Sequence, residues 1–447
     1  MDGFPIRSDQ PVSFDMPIPP SCDCIIIGGG IIGVMTALEL ARAGQSVVLL
    51  EKGRVAGEQS SRNWGWIRAQ GRDPDELPIL LEAQRMWPEL AKSVDTDIGL
   101  RTCGVAYLAD SENDMVGFRN WLASVADFGL SSRLLSASQT SELIPSARGW
   151  RGAMWTPTDM RAEPWVTVPA LARLAVKEGV TIVENCAVRS LDIQAGRVVG
   201  VNCEKGRITA SSVVLAGGAW SSRFLQQHGV DIPQLSVRAT VCATKPLPVT
   251  FDGAAVDSKL AFRLRSDGGY TLAPAGFHEL FIGPDSFRHF RKYLPQLRQS
   301  PFGTRYLLNP PKDYPDAWRW SEDQDTGAQS VFEAQRILNP SPNLAKVAEL
   351  QARFLETFPQ LGQVKIAAMW AGMIDVMPDT VPIIDEVPDL PGLVLATGFS
   401  GHGFGIGPGA GRVVSRIVQG IETGFDLKRF RFDRFADGSP IILGPSL

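Results

Sequence analysis

The stretch CDCIIIGGGIIGVMTALELARAGQSVVLLEKG, residues 22–53, constrains this chain more than any other. CDCIIIGG reads as a short buried strand. From Ile31 the apolar positions Ile31, Val34, Met35 and Leu38 recur at helical spacing, and Gly44 ends the helix. SVVLLE is a second strand, so the stretch is β-α-β. Gly28-Gly29-Gly30-Ile31-Ile32-Gly33 fits G-x-G-x-x-G at the first turn. Gly28 allows the tight turn, Gly30 lets backbone approach a pyrophosphate, and Gly33 lets the helix pack close to the strand. The helix start, at Ile31 and Ile32, offers N–H groups and a positive dipole to phosphate. Glu51, followed by Lys52, stands about 20 residues on, placed to accept hydrogen bonds from ribose hydroxyls. Strand, helix and acid together predict a dinucleotide site rather than a glycine-rich structural turn.

A chain of 447 residues exceeds one ordinary core, so two or three domains are expected. Hydrophobic content of 44% and charged content of 21% fit a soluble globular protein. The net charge of −4 carries no nucleic-acid footprint. Six cysteines are scattered through apolar or strand-like runs, which reads as buried free thiols in a reducing compartment. No apolar run approaches the roughly 20 residues that span a bilayer. Residues 1–20 hold Pro and charge and no continuous apolar segment, which predicts a loose N-terminal arm and a cytoplasmic protein.

A second strand-rich block, VTIVENCAVRSLDIQAGRVVGVNCEKGRITASSVVLAGGAW, alternates apolar and polar residues around turn signals at Ala195-Gly196 and Lys205-Gly206. Residues 234–284 read as further strands. Residues 285–345 are rich in Pro, Arg, Trp and Asn, with weak periodicity. NLAKVAELQARFLETFP is helical, LPGLVLATGF is a buried strand, and GPGAGRVVSRIVQGIE is a helix. The nucleotide-binding pieces are spread along the chain with other material between them.

With SSRN, VVLAGGAWS, MPDTVPIID and TGFSGHGFGIGPGAGRVVS added to the glycine motif and Glu51, the chain resembles the FAD-dependent amine and amino-acid oxidoreductases of the D-amino-acid oxidase superfamily. The glycine oxidase and monomeric sarcosine oxidase branch looks nearest, and the likeness runs over about residues 22–421. It implies an α/β fold, α+β overall. A Rossmann-type FAD-binding domain would comprise 21–95, 160–232 and 366–425. A mixed or antiparallel-sheet substrate domain, 96–159 and 233–365, would be interleaved with it, and 426–447 would form a C-terminal tail.

The same resemblance implies site residues. Ser60, Ser61, Arg62, Asn63 and Trp64 would border the FAD, the serines and Asn63 bonding pyrophosphate or ring oxygens. Val188 aligns with the residue whose main chain meets adenine. Gly217, Gly218 and Trp220 would line the strand end near the pyrophosphate. Gly401, His402, Gly403 and Phe404 would run into a helix whose start faces the flavin pyrimidine ring and stabilises the charge of reduced flavin. Without the resemblance, the serines fit an ordinary polar loop and His402 a structural role.

The implied reaction is oxidation of an amine or amino acid to an imine, by hydride transfer from the α-carbon to flavin N5, with water then hydrolysing the imine. Arginine suits a carboxylate because it forms two parallel hydrogen bonds. Arg68 matches the carboxylate-binding position of the sarcosine oxidase branch; Arg263 and Arg265, on one face of a strand, are alternative anchors. Two departures stand out. Gly405 replaces a lysine of the branch, and Gly372 replaces the cysteine of covalent-flavin members, so FAD is expected to be non-covalent. Trp64, Trp66 and Trp370, with Trp155, Trp318 and Trp320 in the substrate region, read as aromatic walls or as core. Aromatic walls with few cations favour a bulky or apolar amine.

In Leu280-Phe281-Ile282-Gly283 the resemblance puts Phe281 where oxygen-reactive relatives carry lysine, with His278 as a stand-in. The expectation is a dehydrogenase-leaning enzyme passing electrons to a quinone or another carrier, with oxygen as the alternative acceptor. Other readings are a flavin-bearing subunit of a larger dehydrogenase complex and an NAD(P)H-dependent flavin hydroxylase. Residues 285–345 are either a peripheral membrane or subunit contact or a solvated helix over the substrate domain.

Overall fold

The computed structural model describes residues 4–299, 303–308, 310–318 and 330–444. Strand β1 (Ser21–Ile27) lies inside an eight-stranded sheet, between β2 (Val47–Leu50) and the strand Gly206–Leu215, parallel to both. Thr181–Val183 extends the sheet beyond β2, and Leu393–Thr397 joins Gly206–Leu215 in parallel. All four residues of β2 are buried, as a parallel strand covered on both faces requires. Helix α1 (Ile31–Arg42) buries Ile31, Val34, Met35 and Leu38, each contributing about 1.5–3 kcal/mol of transfer free energy.

The second sheet has ten strands and is largely antiparallel. Leu235–Thr244 pairs with Ile366–Val376 along nearly its whole length. Residues 366–376, expected with the nucleotide-binding segments, are therefore a strand of this second sheet. The period-two burial at the start of Ile366–Val376 fits a strand with one face exposed. A three-stranded sheet of Trp66–Ile67, Met160–Arg161 and Arg101–Thr102 adjoins these.

The N-terminal segment is docked rather than loose. Phe4 packs 4.6 Å from the rings of both Trp165 and Trp370, and Phe14 is buried. Arg54 donates to the carbonyls of Ser8 and Gln10, and Arg62 to that of Ile6. Within 285–345, the described residues include helices Pro284–Arg288, Phe290–Gln299 and Val331–Ala334, strand Thr304–Leu308 and the start of helix Leu344–Thr357. Thr304–Leu308 continues the second sheet beside His278–Ile282. Among the described residues no helix is long and apolar enough to cross a membrane. All six cysteines are free thiols, four of them buried.

Candidate active site

A cavity of about 930 Å³ gathers most of the expected positions. Its lining includes Gly28, Gly30, Ile31 and Ile32 from the first turn, Glu51 and Lys52 after β2, and Ser60, Arg62, Asn63 and Trp64. Val188, Gly217, Gly218 and Trp220 line it from the strand-rich block, and Gly401, His402, Gly403 and Phe404 from the C-terminal segment.

Gly28 has φ +111°, and a Cβ there would sit 2.4 Å from the Ala216 carbonyl oxygen. A Cβ on Gly33 would sit 2.0 Å from the Gly28 carbonyl oxygen. Gly33 is thus a packing residue under the turn, and it does not line the cavity. The Glu51 carboxylate accepts from Gly29 N and Gly53 N, each at 2.7 Å, so it shapes the turn it faces. Burial pushes its pKa up to about 6, against the pull of Lys52 and of these two donors. Ser60 Oγ accepts from Ile31 N at 2.9 Å, which leaves its hydroxyl proton to donate elsewhere.

Three expected cofactor residues are otherwise engaged. Ser61 is fully buried, does not line the cavity, and turns its hydroxyl to the Glu58 carbonyl. The Arg62 guanidinium donates to Gly57 O, Ala371 O and Asn339 Oδ1. Asn63 closes its own turn, donating to Ser60 O and accepting from Gly65 N. Glu58, which sequence reasoning missed, holds Lys52 Nζ at 2.8 Å, Trp220 Nε1 at 3.1 Å and Leu338 N at 3.1 Å. Lys52 is six residues away, but Trp220 and Leu338 lie far along the chain, so no local pattern announces the cluster.

His402 precedes the helix Gly403–Val418, and its Nε2 lies 2.7 Å from Glu76 Oε1. Burial lowers its pKa, against the charge of Glu76 and with that of Arg72. Asp375 lines the cavity and accepts from Gly398 N at 2.8 Å, and burial pushes its carboxyl up to about 6. Gly372 also lines the cavity, and a Cβ there would meet nothing closer than Arg62 Cβ at 3.5 Å.

Arg68 lines the cavity beside Trp66 and Tyr107, its guanidinium carbon 6.0 and 5.2 Å from their ring centroids. It donates to the Gln70 carbonyl. Among the described residues no carboxylate lies within ion-pair distance of it. Arg72, four residues on, lines the same cavity, and burial and the charge of Arg68 push its pKa down to about 9. The expectation stopped at RNWGWIRAQ and missed Arg72; its position after Gly71 in the same segment was the available signal. The lining therefore holds aromatic walls, Trp64, Trp66 and Tyr107 among them, with the two cations Arg68 and Arg72 beside them.

Four other expected positions face away. Arg263 is 1% exposed and grips Glu163 with two bonds of 3.0 Å. Arg265 is equally buried and donates to Tyr270 O, Thr244 O and Asp267 Oδ2. A buried carboxylate and buried carbonyls need such partners, and these arginines supply them. Trp370 is core: it packs on Phe4 and donates from Nε1 to Arg62 O at 2.9 Å. Phe281 packs edge-on against Tyr314 with the Arg238 guanidinium 5.2 Å over its ring, and His278, not Phe281, lines the cavity. Trp64 and Trp66 line the cavity, Trp155 is core against Phe251, Trp318 packs near Phe287, and Trp320 lies outside the described residues.

FAD suits the residues present. The glycine cradle excludes side chains where a pyrophosphate would lie, the α1 start offers N–H groups, and Glu51 offers a carboxylate at the end of β2. The comparisons with known proteins agree. The family described as DAO, FAD dependent oxidoreductase, matches residues 23–417. The mitochondrial sarcosine dehydrogenase of Mus musculus is 24% identical over 438 residues, covering 93% of this chain. The chain spans only 42% of that relative's length. The glycine oxidase of Geobacillus kaustophilus is 24% identical, covering 92% of this chain and 97% of its own. Among solved structures, L-amino acid deaminase from Proteus myxofaciens in complex with anthranilate superposes with a TM-score of 0.89, at 30% identity and 95% coverage of both chains.

Proposed function

The chain belongs to the DAO family of FAD-dependent oxidoreductases, and from that premise we propose that it oxidises an amino acid, as a primary or secondary amine, to an imine that water then hydrolyses. Bound FAD would supply the two-electron acceptor, taking a hydride at N5 from the carbon beside the substrate nitrogen. Gly28, Gly30, Glu51, Lys52 and Ser60 would hold the dinucleotide, and the segment Gly401–Phe404 would border the flavin ring. Gly372 stands where a linking cysteine would be, so the FAD is held without a covalent bond.

The observation that carries the reading is Arg68. Its guanidinium lines the cavity, lies between the Trp66 and Tyr107 rings, and has no carboxylate partner among the described residues. A substrate carboxylate would complete it with two parallel charge-assisted hydrogen bonds and fix the α-carbon. Trp64 and Trp66 would exclude water beside it. His402 is tied to Glu76 and stays neutral near pH 7, so it holds its ring in place without adding a charge.

The test is anaerobic mixing of the yellow protein with D- and L-amino acids, N-methyl amino acids and cyclic amines. Loss of the flavin absorbance with a carboxylate-bearing amine supports the reading. Bleaching by NADPH alone, with every amine silent, would make the chain a hydroxylase instead. A second reading, a flavin-bearing subunit, has its own observation: Phe287, Phe290 and Leu308 are exposed within 285–345. Size-exclusion with an activity assay separates the two, because a subunit alone would be inactive.

A further inference from the structure

Two arginines, not one, line the cavity without an ion-pair partner among the described residues. Arg68 donates only to the Gln70 carbonyl, and the Arg72 guanidinium makes no hydrogen bond or ion pair with any described residue. The Arg68 guanidinium lies 5.2 Å from the Tyr107 ring centroid, and the Arg68 charge acts against Arg72, while Glu76, Tyr107 and Asp159 act in its favour without bonding it. The Arg68 charge disfavours the Arg72 charge, and an anion bound beside both would relieve that repulsion.

The nearby carboxylates are already committed. Asp73 accepts from Arg429 at 3.1 Å, and Asp75 lies 3.2 Å from the same guanidinium. Glu76 is taken by His402 at 2.7 Å. Asp159 accepts from Ala69 N at 2.8 Å and Gln84 Nε2 at 2.9 Å, and burial pushes it up to about 6. Asp114 is bound in the helix cap with Ser111. Each of these acids is close in sequence or space, and none bonds either arginine. Trp66, also on the cavity wall, leaves its indole N–H without a partner among the described residues.

We propose that the substrate carries two carboxylates, one gripped by Arg68 and the other by Arg72, so that the chain acts on acidic amino acids rather than on apolar ones. This rests on the amino-acid oxidation reading above and narrows its substrate class. A single α-carboxylate satisfies one guanidinium fork; a second carboxylate satisfies the other. Selectivity follows from the penalty on an apolar side chain, which would cover the half-buried Arg72 without pairing it.

The test separates binding from turnover. Glutarate and butyrate, neither of which carries an amine, are titrated into the FAD-loaded protein and followed by the perturbation of flavin absorbance and by thermal shift. Glutarate should bind at least about 10-fold tighter than butyrate, the return from one added charge-assisted fork. Arg72→Gln should weaken glutarate by about that factor and leave butyrate nearly unchanged, with Arg72→Lys between the two. Equal binding of the two acids overturns the proposal. So does an equal loss of both in Arg72→Gln, which would mean that the two arginines share one carboxylate. Anaerobic bleaching by glutamate and by leucine isolates the parent reading. Leucine active with glutamate silent sinks only the two-carboxylate proposal, whereas silence of both and of every other amine in the panel, with glutarate still preferred, sinks the oxidation reading.

Discussion

His402 Nε2 lies 2.7 Å from Glu76 Oε1 across 326 residues of chain, with both side chains more than nine-tenths buried. The contact ties the loop before helix Gly403–Val418 to the segment that carries Arg68 and Arg72. Burial holds the imidazole below its ordinary value of 6.5, against the pull of the Glu76 charge. A histidine depressed in the folded state stabilises the fold fully above its ordinary value, and that share is lost as pH falls through the depressed one. His402→Gln should therefore flatten the loss of thermal stability between roughly pH 7 and pH 5 relative to wild type. Superimposable melting-temperature curves for the two proteins would show that His402 does not titrate in this range.

Gly33→Ala tests the cradle. The added methyl would sit 2.0 Å from the Gly28 carbonyl oxygen, so the turn that faces the pyrophosphate must move. The variant should purify colourless or nearly so, while circular dichroism keeps its helical signal. Full flavin content at wild-type ratio would mean that the helix and turn can part without loss of binding.

A non-covalent flavin makes a simple prediction. Acid precipitation should release all the yellow colour into the supernatant. The converse experiment is Gly372→Cys, since the position faces the cavity with its nearest neighbour, Arg62 Cβ, 3.5 Å from an added Cβ. Colour retained in the wild-type pellet would defeat the expectation drawn from Gly372.

The glycine motif and Glu51 were legible because their chemistry is local: strand, turn, helix and acid fall within one short stretch. Arg68 was legible by its place in a motif. Arg263 and Phe281 were misread because their surroundings are not local. Glu163, which claims Arg263, lies 100 residues away in the chain. Tyr314 and Arg238 enclose Phe281 from segments before and after it. Strand alternation says which residues share a face, and only the packed sheet says what that face meets. Glu58 and Glu76 escaped notice for the same reason, whereas Arg72 lay within local reach, four residues beyond Arg68.

Arg68→Ala and Arg263→Ala should fail in different ways. The first removes a cavity cation with no carboxylate partner, so flavin content and melting temperature should hold. Its kcat/KM for a carboxylate substrate should fall by the equivalent of about 2–5 kcal/mol. The second removes the two-bond partner of the buried Glu163 carboxylate, leaving it Ser266 N at 2.8 Å and Arg161 at 3.7 Å, and should cost about 3 kcal/mol of stability. Loss of activity in Arg263→Ala with the fold intact, beside a normal Arg68→Ala, would move the anchor to the strand.

The last prediction concerns the acceptor. Oxygen takes electrons readily where a fixed positive charge stands by the reacting atoms. Among the described residues Lys52 alone of the lysines lines the cavity, and Glu58 holds its ammonium at 2.8 Å. His278 lines the cavity, but burial lowers its pKa, so it stays neutral near pH 7. Arg68 and Arg72 are matched by carboxylates once substrate binds, on the proposal above. Arg54 and Arg62 also line the cavity, but their guanidiniums are committed to backbone carbonyls of Ser8, Gln10 and Gly53 and of Ile6, Gly57 and Ala371. Phe281, packed against Tyr314, bears on none of this; the case now rests on which cations face the cavity. The enzyme should therefore turn over faster with an artificial dye acceptor than in air, with the same amine. Hydrogen peroxide formed in air at the dye rate would show that a matched arginine, or a group not considered, still activates oxygen.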